Sequence, residues 1–195
     1  MASQGPNSGS TFTGTGGAGV GSWTSPGSAA ASDNAYASRT VSDVVTSTRE
    51  LNATGFGFSI PSGATINGVV VEIEKSRTST SGSQSDLAVQ LVKGGTVSGS
   101  NKAAAGDWPT TDAYTTYGTS ADLWSLSLTD TDINASNFGV VIRAQSSGLS
   151  GEKGTNQIRV DHIRITVYYT EGGGGGGTVG RIVTINQAVR RASTF

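Results

Sequence analysis

Apolar and polar residues alternate with a period of two along several stretches of this chain, which is the spacing of strands that bury one face. Ile66 to Lys75 reads INGVVVEIEK, with Val69, Val71 and Ile73 on one side and Glu72 and Glu74 on the other. Asp86 to Lys93, DLAVQLVK, predicts Leu87, Val89 and Leu91 facing inward. Phe138 to Gln145, FGVVIRAQ, predicts the same of Phe138, Val140 and Ile142, and Thr54 to Ile60, TGFGFSI, alternates Phe56 and Phe58 with glycines. In Gln157 to Tyr169, QIRVDHIRITVYY, the apolar positions change parity: Ile158 and Val160 are even, whereas Ile163, Ile165 and Val167 are odd. One extra residue at Asp161-His162 predicts a β-bulge that keeps the inner face inward. Weaker strands are expected over Tyr36 to Val45 and Tyr117 to Leu128.

Between these runs lie Pro61-Ser62-Gly63, Ser81-Gly82-Ser83, Lys93-Gly94-Gly95 and Ser147-Gly148, which is turn chemistry. No window of helical length repeats apolar residues at i, i+3, i+4 and i+7, although Asp130 to Asn134 reads as one short turn of helix. About seven or eight strands with regular turns predict an all-β fold, an antiparallel sandwich of two packed sheets.

The ends read differently from the body. Residues 1–21 are rich in Gly, Ser and Thr with little to bury, which predicts a flexible arm. The sandwich domain is expected over 22–171, from Trp23, the first large apolar anchor, to the strong strand that closes at Thr170. A glycine hinge spans 172–177, and six glycines in a row hold no conformation unaided. Over 178–195 apolar residues return as Val179, Ile182, Val183, Ile185 and Val189, together with Arg181, Arg190 and Arg191 and no acid. The body before Gly172 carries ten basic and fourteen acidic side chains, so a basic, apolar tail on an acidic body predicts docking on a neighbour. The plainer reading, arginines that keep a short tail soluble, stands beside it.

Composition narrows the classes. Hydrophobic residues are 34% and charged residues 14%, a chain poor in both, which suits short strands with small exposed side chains and many turns. A net charge of −1 argues against nucleic acid held through phosphate neutralisation. There is no cysteine, which excludes disulfides and thiolate metal sites. No apolar run approaches the roughly 20 residues that span a bilayer, so no membrane is expected as a partner. The first residues lack a basic region followed by an apolar one, so synthesis in a cytoplasm is expected.

Candidate chemistry is sparse. His162 is the single histidine; beside Asp161 it could act as base or metal ligand, and the structural alternative is a sheet residue at a bulge. Serines are plentiful but none sits in a G-x-S-x-G elbow. Glu72 and Glu74 share the polar face of one strand, the solvated arrangement. Asp130-Thr131-Asp132-Ile133-Asn134 loosely resembles the start of a calcium loop but lacks its glycine and distant glutamate, so an Asx-rich turn is the better reading. Gly14-Thr15-Gly16-Gly17 is followed by no Lys-Ser/Thr and opens no helix, so it is not a phosphate loop. No catalytic residue, cofactor or metal is therefore expected. Trp108 lies in the polar stretch AGDWPTTDAYTTYG with Tyr114 and Tyr117 nearby, the best candidate for a contact with a glycan or a protein; its alternative is a plug at one end of the sandwich. Trp124 is expected in the core.

The series LNATGFGFSIPSGATINGVVVEIEKS, DLAVQLVKGG, NFGVVIRAQ and VDHIRITVYYT resembles jelly-roll-like β-sandwich domains of tailed-phage virion proteins, the head-decoration and fibre-associated kinds. Similar modules occur in bacterial surface proteins. The likeness runs from Trp23 to Thr170 and is most specific in SIPSGATINGVVVEI and VDHIRITVYY. It carries no catalytic motif. It implies a capsid decoration or cement protein exposed on the virion, partnered by the major capsid protein or by copies of itself, with a trimer favoured. A carbohydrate-binding or adhesin module and a filament subunit using its tail as a donor strand remain as alternatives.

Overall fold

The structure is a computed structural model that describes residues 1–41, 46–147 and 156–172. The strands in chain order are β1 (Ala2–Ser8), β2 (Thr11–Gly16), β3 (Ala37–Thr40), β4 (Thr46–Ser47), β5 (Glu50–Thr54), β6 (Thr65–Arg77), β7 (Ser83–Lys93), β8 (Thr96–Ser98), β9 (Ala113–Tyr117), β10 (Gly139–Ser147) and β11 (Gln157–Thr170). One short helix, α1 (Asp130–Asn134), stands where the sequence places a turn of helix. Every strand pairing is antiparallel. The first sheet runs β1-β11-β6-β9, with β3 beside the start of β11; the second runs β2-β5-β10-β7-β8, with β4 beside the end of β10. The two pack as an antiparallel β-sandwich.

The core between them is built by the expected alternation. Val69, Val71 and Ile73 of β6, Ile163, Ile165 and Val167 of β11, and Val140 and Ile142 of β10 are all buried. The parity change in β11 is a bulge: Val160 faces Lys75 and His162 faces Glu74, leaving Asp161 as the extra residue. Trp124 is buried as expected, but from a turn. It and Ser125 have φ of 57° and 59°, and its indole Nε1 donates to the Val69 carbonyl at 2.9 Å. No strand therefore forms over 118–128, because these left-handed residues reverse the chain to drive the indole inward.

Other expectations are corrected. The stretch read as a flexible arm forms two strands, with Ala2 to Ser8 pairing β11 and Thr11 to Gly16 pairing β5. These strands need few apolar side chains, since backbone N–H and C=O groups of the neighbouring strand supply the partners. Glycine has a specific use here: a Cβ at Gly14 would sit 2.7 Å from that of Trp23, whose backbone N–H donates to the Gly14 carbonyl. Thr54 is the last strand residue before Gly55 and Gly57, whose φ of 71° and 66° turn the chain out of the ladder. Phe56, Phe58 and Ile60 are nonetheless buried, so their alternation marks a core-plugging segment rather than a strand. Leu87 does not face inward. A register shift at that point puts Gln84 and Asp86 inside before it and Val89 and Leu91 inside after it. The glycine hinge beyond Gly172 and the docking tail, with Val179, Arg181, Ile182, Val183, Ile185, Val189, Arg190 and Arg191, lie outside the described residues.

Candidate functional site

The three aromatic residues expected to form one exposed loop are divided between two places. Tyr114 and Tyr117 both sit on β9, opposite Glu74 and Val71 of β6, and the odd spacing between them sends them to opposite faces of the sheet. Tyr117 and Trp108 point into the sandwich and are buried, 3% and 2% exposed. Trp108 is held there by its own loop: its N–H donates to the Gln84 carbonyl at 2.7 Å, and Asp107 accepts from Ser83 Oγ and the Gln84 N–H. It is the plug of the alternative reading, not an open stacking surface.

Beneath that plug lies a polar cluster between the sheets. Lys75 continues the inward parity of Val69, Val71 and Ile73 on β6, and Asp86 reaches it from β7 of the other sheet; both are buried. Lys75 Nζ donates to Asp86 Oδ1 at 2.5 Å and to Tyr117 Oη at 2.5 Å. Tyr117 Oη donates to Asp86 Oδ2 at 2.8 Å, so the three groups close a ring. Trp108 Nε1 donates to Oδ1 at 2.8 Å and the Ala104 N–H to Oδ2 at 2.9 Å. The ammonium also lies 4.8 Å from the Trp108 ring and 5.2 Å from the Tyr117 ring, within cation–π range. Burial pushes the Lys75 pKa below its ordinary value, against the pull of Asp86. Burial, then the Asp86 charge, pushes the Tyr117 phenol far up, so it keeps its proton.

The second cluster lies on the outer face of the first sheet, at the bulge. His162 Nε2 is 2.7 Å from Ser8 Oγ, and its Nδ1 is 2.7 Å from Tyr114 Oη. Arg164 makes a bidentate pair with Glu72, both contacts at 3.0 Å, and its guanidinium sits 4.1 Å from the Tyr114 ring. Nearby, Tyr36 donates to Asp112 at 2.8 Å and lies under Arg159, while Asp161 accepts from the Asn34 N–H. Sequence reasoning finds no serine for His162, and the structure supplies Ser8 through the strand taken for an arm. A hydroxyl on Nε2 is the start of a nucleophile–base pair. The group on Nδ1 is a phenol, however, where a carboxylate would stabilise the imidazolium formed when the serine is deprotonated. Burial and the Arg164 charge push the His162 pKa down and oppose that same imidazolium. The arrangement suits a neutral ring that clamps β1, β11 and β9 together.

No protein-family model matches this chain, and no curated protein does. Fold and local chemistry carry the functional reading by themselves. Among the described residues no group of three or more His, Asp or Glu is placed to hold a metal ion. Asp132, from the stretch compared with a calcium loop, is spent in a capping box with Thr129 and an ion pair to Lys93 at 3.1 Å.

Ser8 left no signal in the sequence, because nothing local marks which serine meets a distant strand. Lys75 left one: it sits at the inward parity of a strand whose other inward residues are all β-branched.

Proposed function

We propose that this chain is a structural subunit of a larger assembly, of the capsid-decoration kind, in which the sandwich is the rigid body and the segment after Thr170 does the docking. The observation that carries the reading is where the last strand leaves. Thr170 pairs with Thr65, Tyr169 meets both Ile66 and Ala2, and Gly172 packs against the Gly63 carbonyl at the margin of the sandwich. From that point the sequence runs through glycine and then into alternating apolar and basic residues, Val179 to Ile185 followed by Arg190 and Arg191. Such a tether lets a short segment add main-chain hydrogen bonds to the edge of a neighbouring sheet without disturbing its own body. Strands β8 and β9 end the two sheets and offer edges of that kind. Partners on this reading are a shell subunit or neighbouring copies of the chain, and a symmetric trimer repeats one modest interface on a virion surface. A glycan module would need Trp108, Tyr114 and Tyr117 exposed together, and two of these rings are packed between the sheets.

The test is electron microscopy of the source particles alongside a variant lacking residues 172–195. The full chain is expected at symmetric positions on a shell, and the shortened one is expected to fold but stay unincorporated. Normal incorporation of the shortened chain, or a continuous filament of this subunit alone, overturns the proposal.

A further inference from the structure

The contact between Lys75 and Asp86 brings together the two reactants of an amide bond. An amine nitrogen lies 2.5 Å from a carboxyl oxygen, in a site walled by Trp108 and Tyr117 and with both side chains almost wholly out of solvent. Separated charge is costly there, and a pair in this setting can shed it by moving one proton from ammonium to carboxylate. The lowered Lys75 pKa has the sense this transfer requires. A proton moved off the nitrogen as the step begins frees its lone pair beside a carboxyl carbon that the fold holds in place.

We propose that Lys75 and Asp86 condense within the folded chain to an isopeptide bond that cross-links the two sheets. Each neighbour has a part in that step. Tyr117 Oη receives a hydrogen bond from Nζ and gives one to Oδ2, so it can pass protons from nitrogen to the leaving oxygen. Trp108 Nε1 donates to Oδ1, where negative charge develops when the carbon becomes tetrahedral. The Ala104 N–H fixes Oδ2 as the other oxygen. The lysine nitrogen forms a bond to Cγ and the Cγ–Oδ2 bond breaks. The ammonium's three protons divide, two leaving on Oδ2 as water and one staying on the amide nitrogen. No oxidant, reductant or second reactant enters. The link stands whatever the protein docks to.

The intact mass of the full-length chain, measured under denaturing conditions, tests this directly. The expected mass is lower than that of the sequence by one water molecule, and Lys75→Arg and Asp86→Ala chains are expected at their full masses. Trypsin should then fail to cut after Lys75, and the peptides spanning 50–77 and 78–93 should appear as one joined species. A wild-type chain of full mass overturns the proposal. So does a mass deficit in a chain that trypsin still cuts after Lys75, since the water was then lost elsewhere. The relay is tested by Tyr117→Phe, which keeps the ring and removes the hydroxyl. Condensation during refolding is expected to slow roughly a hundredfold, and an unchanged rate removes Tyr117 from the step.

Discussion

Asp86 is the node of the interior polar cluster, because four donors converge on its two oxygens: Lys75 Nζ, Tyr117 Oη, Trp108 Nε1 and the Ala104 N–H. Lys75 donates its hydrogen bonds to Asp86 and Tyr117. The two partners therefore differ in what their removal strands. Lys75→Met leaves a carboxylate that keeps three donors, whereas Asp86→Ala leaves a buried ammonium and those three further donors without their acceptor. Breaking a buried pair from one side costs about 3–5 kcal/mol, and Asp86→Ala is expected at that level. Lys75→Met is expected to cost less by about 1 kcal/mol or more, the charge for each stranded buried donor. Urea midpoints of the two variants check the order. Both lack the proposed cross-link equally, so the difference reports the donors, and equal costs would show that Asp86 is no more than half of an ion pair.

The last strand shows how much of an element is legible and what decides the rest. Parity alone located its bulge, because a buried face must stay inward on both sides of the extra residue. Parity also placed Val69, Val71 and Ile73, and read one step further it would have placed Lys75. It failed at Leu87, where a second bulge left no trace in a run of apolar residues, and at Phe56 and Phe58, where positive-φ glycines keep the alternation but end the ladder. It could not see β1 and β2 at all, since strands built mostly of Gly, Ser, Thr and Asn, with Phe12 as their single large apolar side chain, are held mainly by backbone pairing. That is also why Ser8 and His162 could not be joined on paper. The bulge carries an electrostatic consequence. Burial, then Arg164, holds the His162 pKa below its ordinary 6.5, while Glu74, Asp161 and Glu72 pull the other way without prevailing. As pH falls through 6.5 the unfolded chain takes up a proton that the folded chain still refuses, so this contribution to stability is lost toward acid. Asp161 next to it is shifted up by burial, which favours the folded state as pH falls below the raised value and acts only nearer the carboxylate range. The urea midpoint is expected to drop between pH 7.5 and 5.5 in the wild type and to drop less in His162→Gln, about 6.5 being where an imidazole titrates. An equal drop in both would assign the acid sensitivity to other groups.

At the scale of the whole molecule, the order of strands sets when the protein can exist. β11 lies inside the first sheet, with β6 on one side and both β1 and β3 on the other, and it contributes five apolar residues that are buried to the core. Its pairing of Tyr169 with Ala2 closes nearly the whole described chain into one loop. Contacts this far apart must be reached before they repay the entropy of closing the chain, so folding is expected in the slow range of all-β domains, about milliseconds to seconds. The same topology leaves no stable fragment without the last strand: β1 and β3 lose their partner, and Val69, Val71 and Ile73 lose the wall they pack against. A chain ending at Ser147 is therefore expected to show no cooperative thermal transition, whereas one ending at Gly172 is expected to unfold at the same temperature as the full chain. If the Ser147 fragment melted cooperatively, the second sheet would be a folding unit by itself and the sandwich two weakly joined layers. If the Gly172 chain melted well below the full one, the tail would belong to its own body, and the docking role proposed for it would pass to the sheet edges.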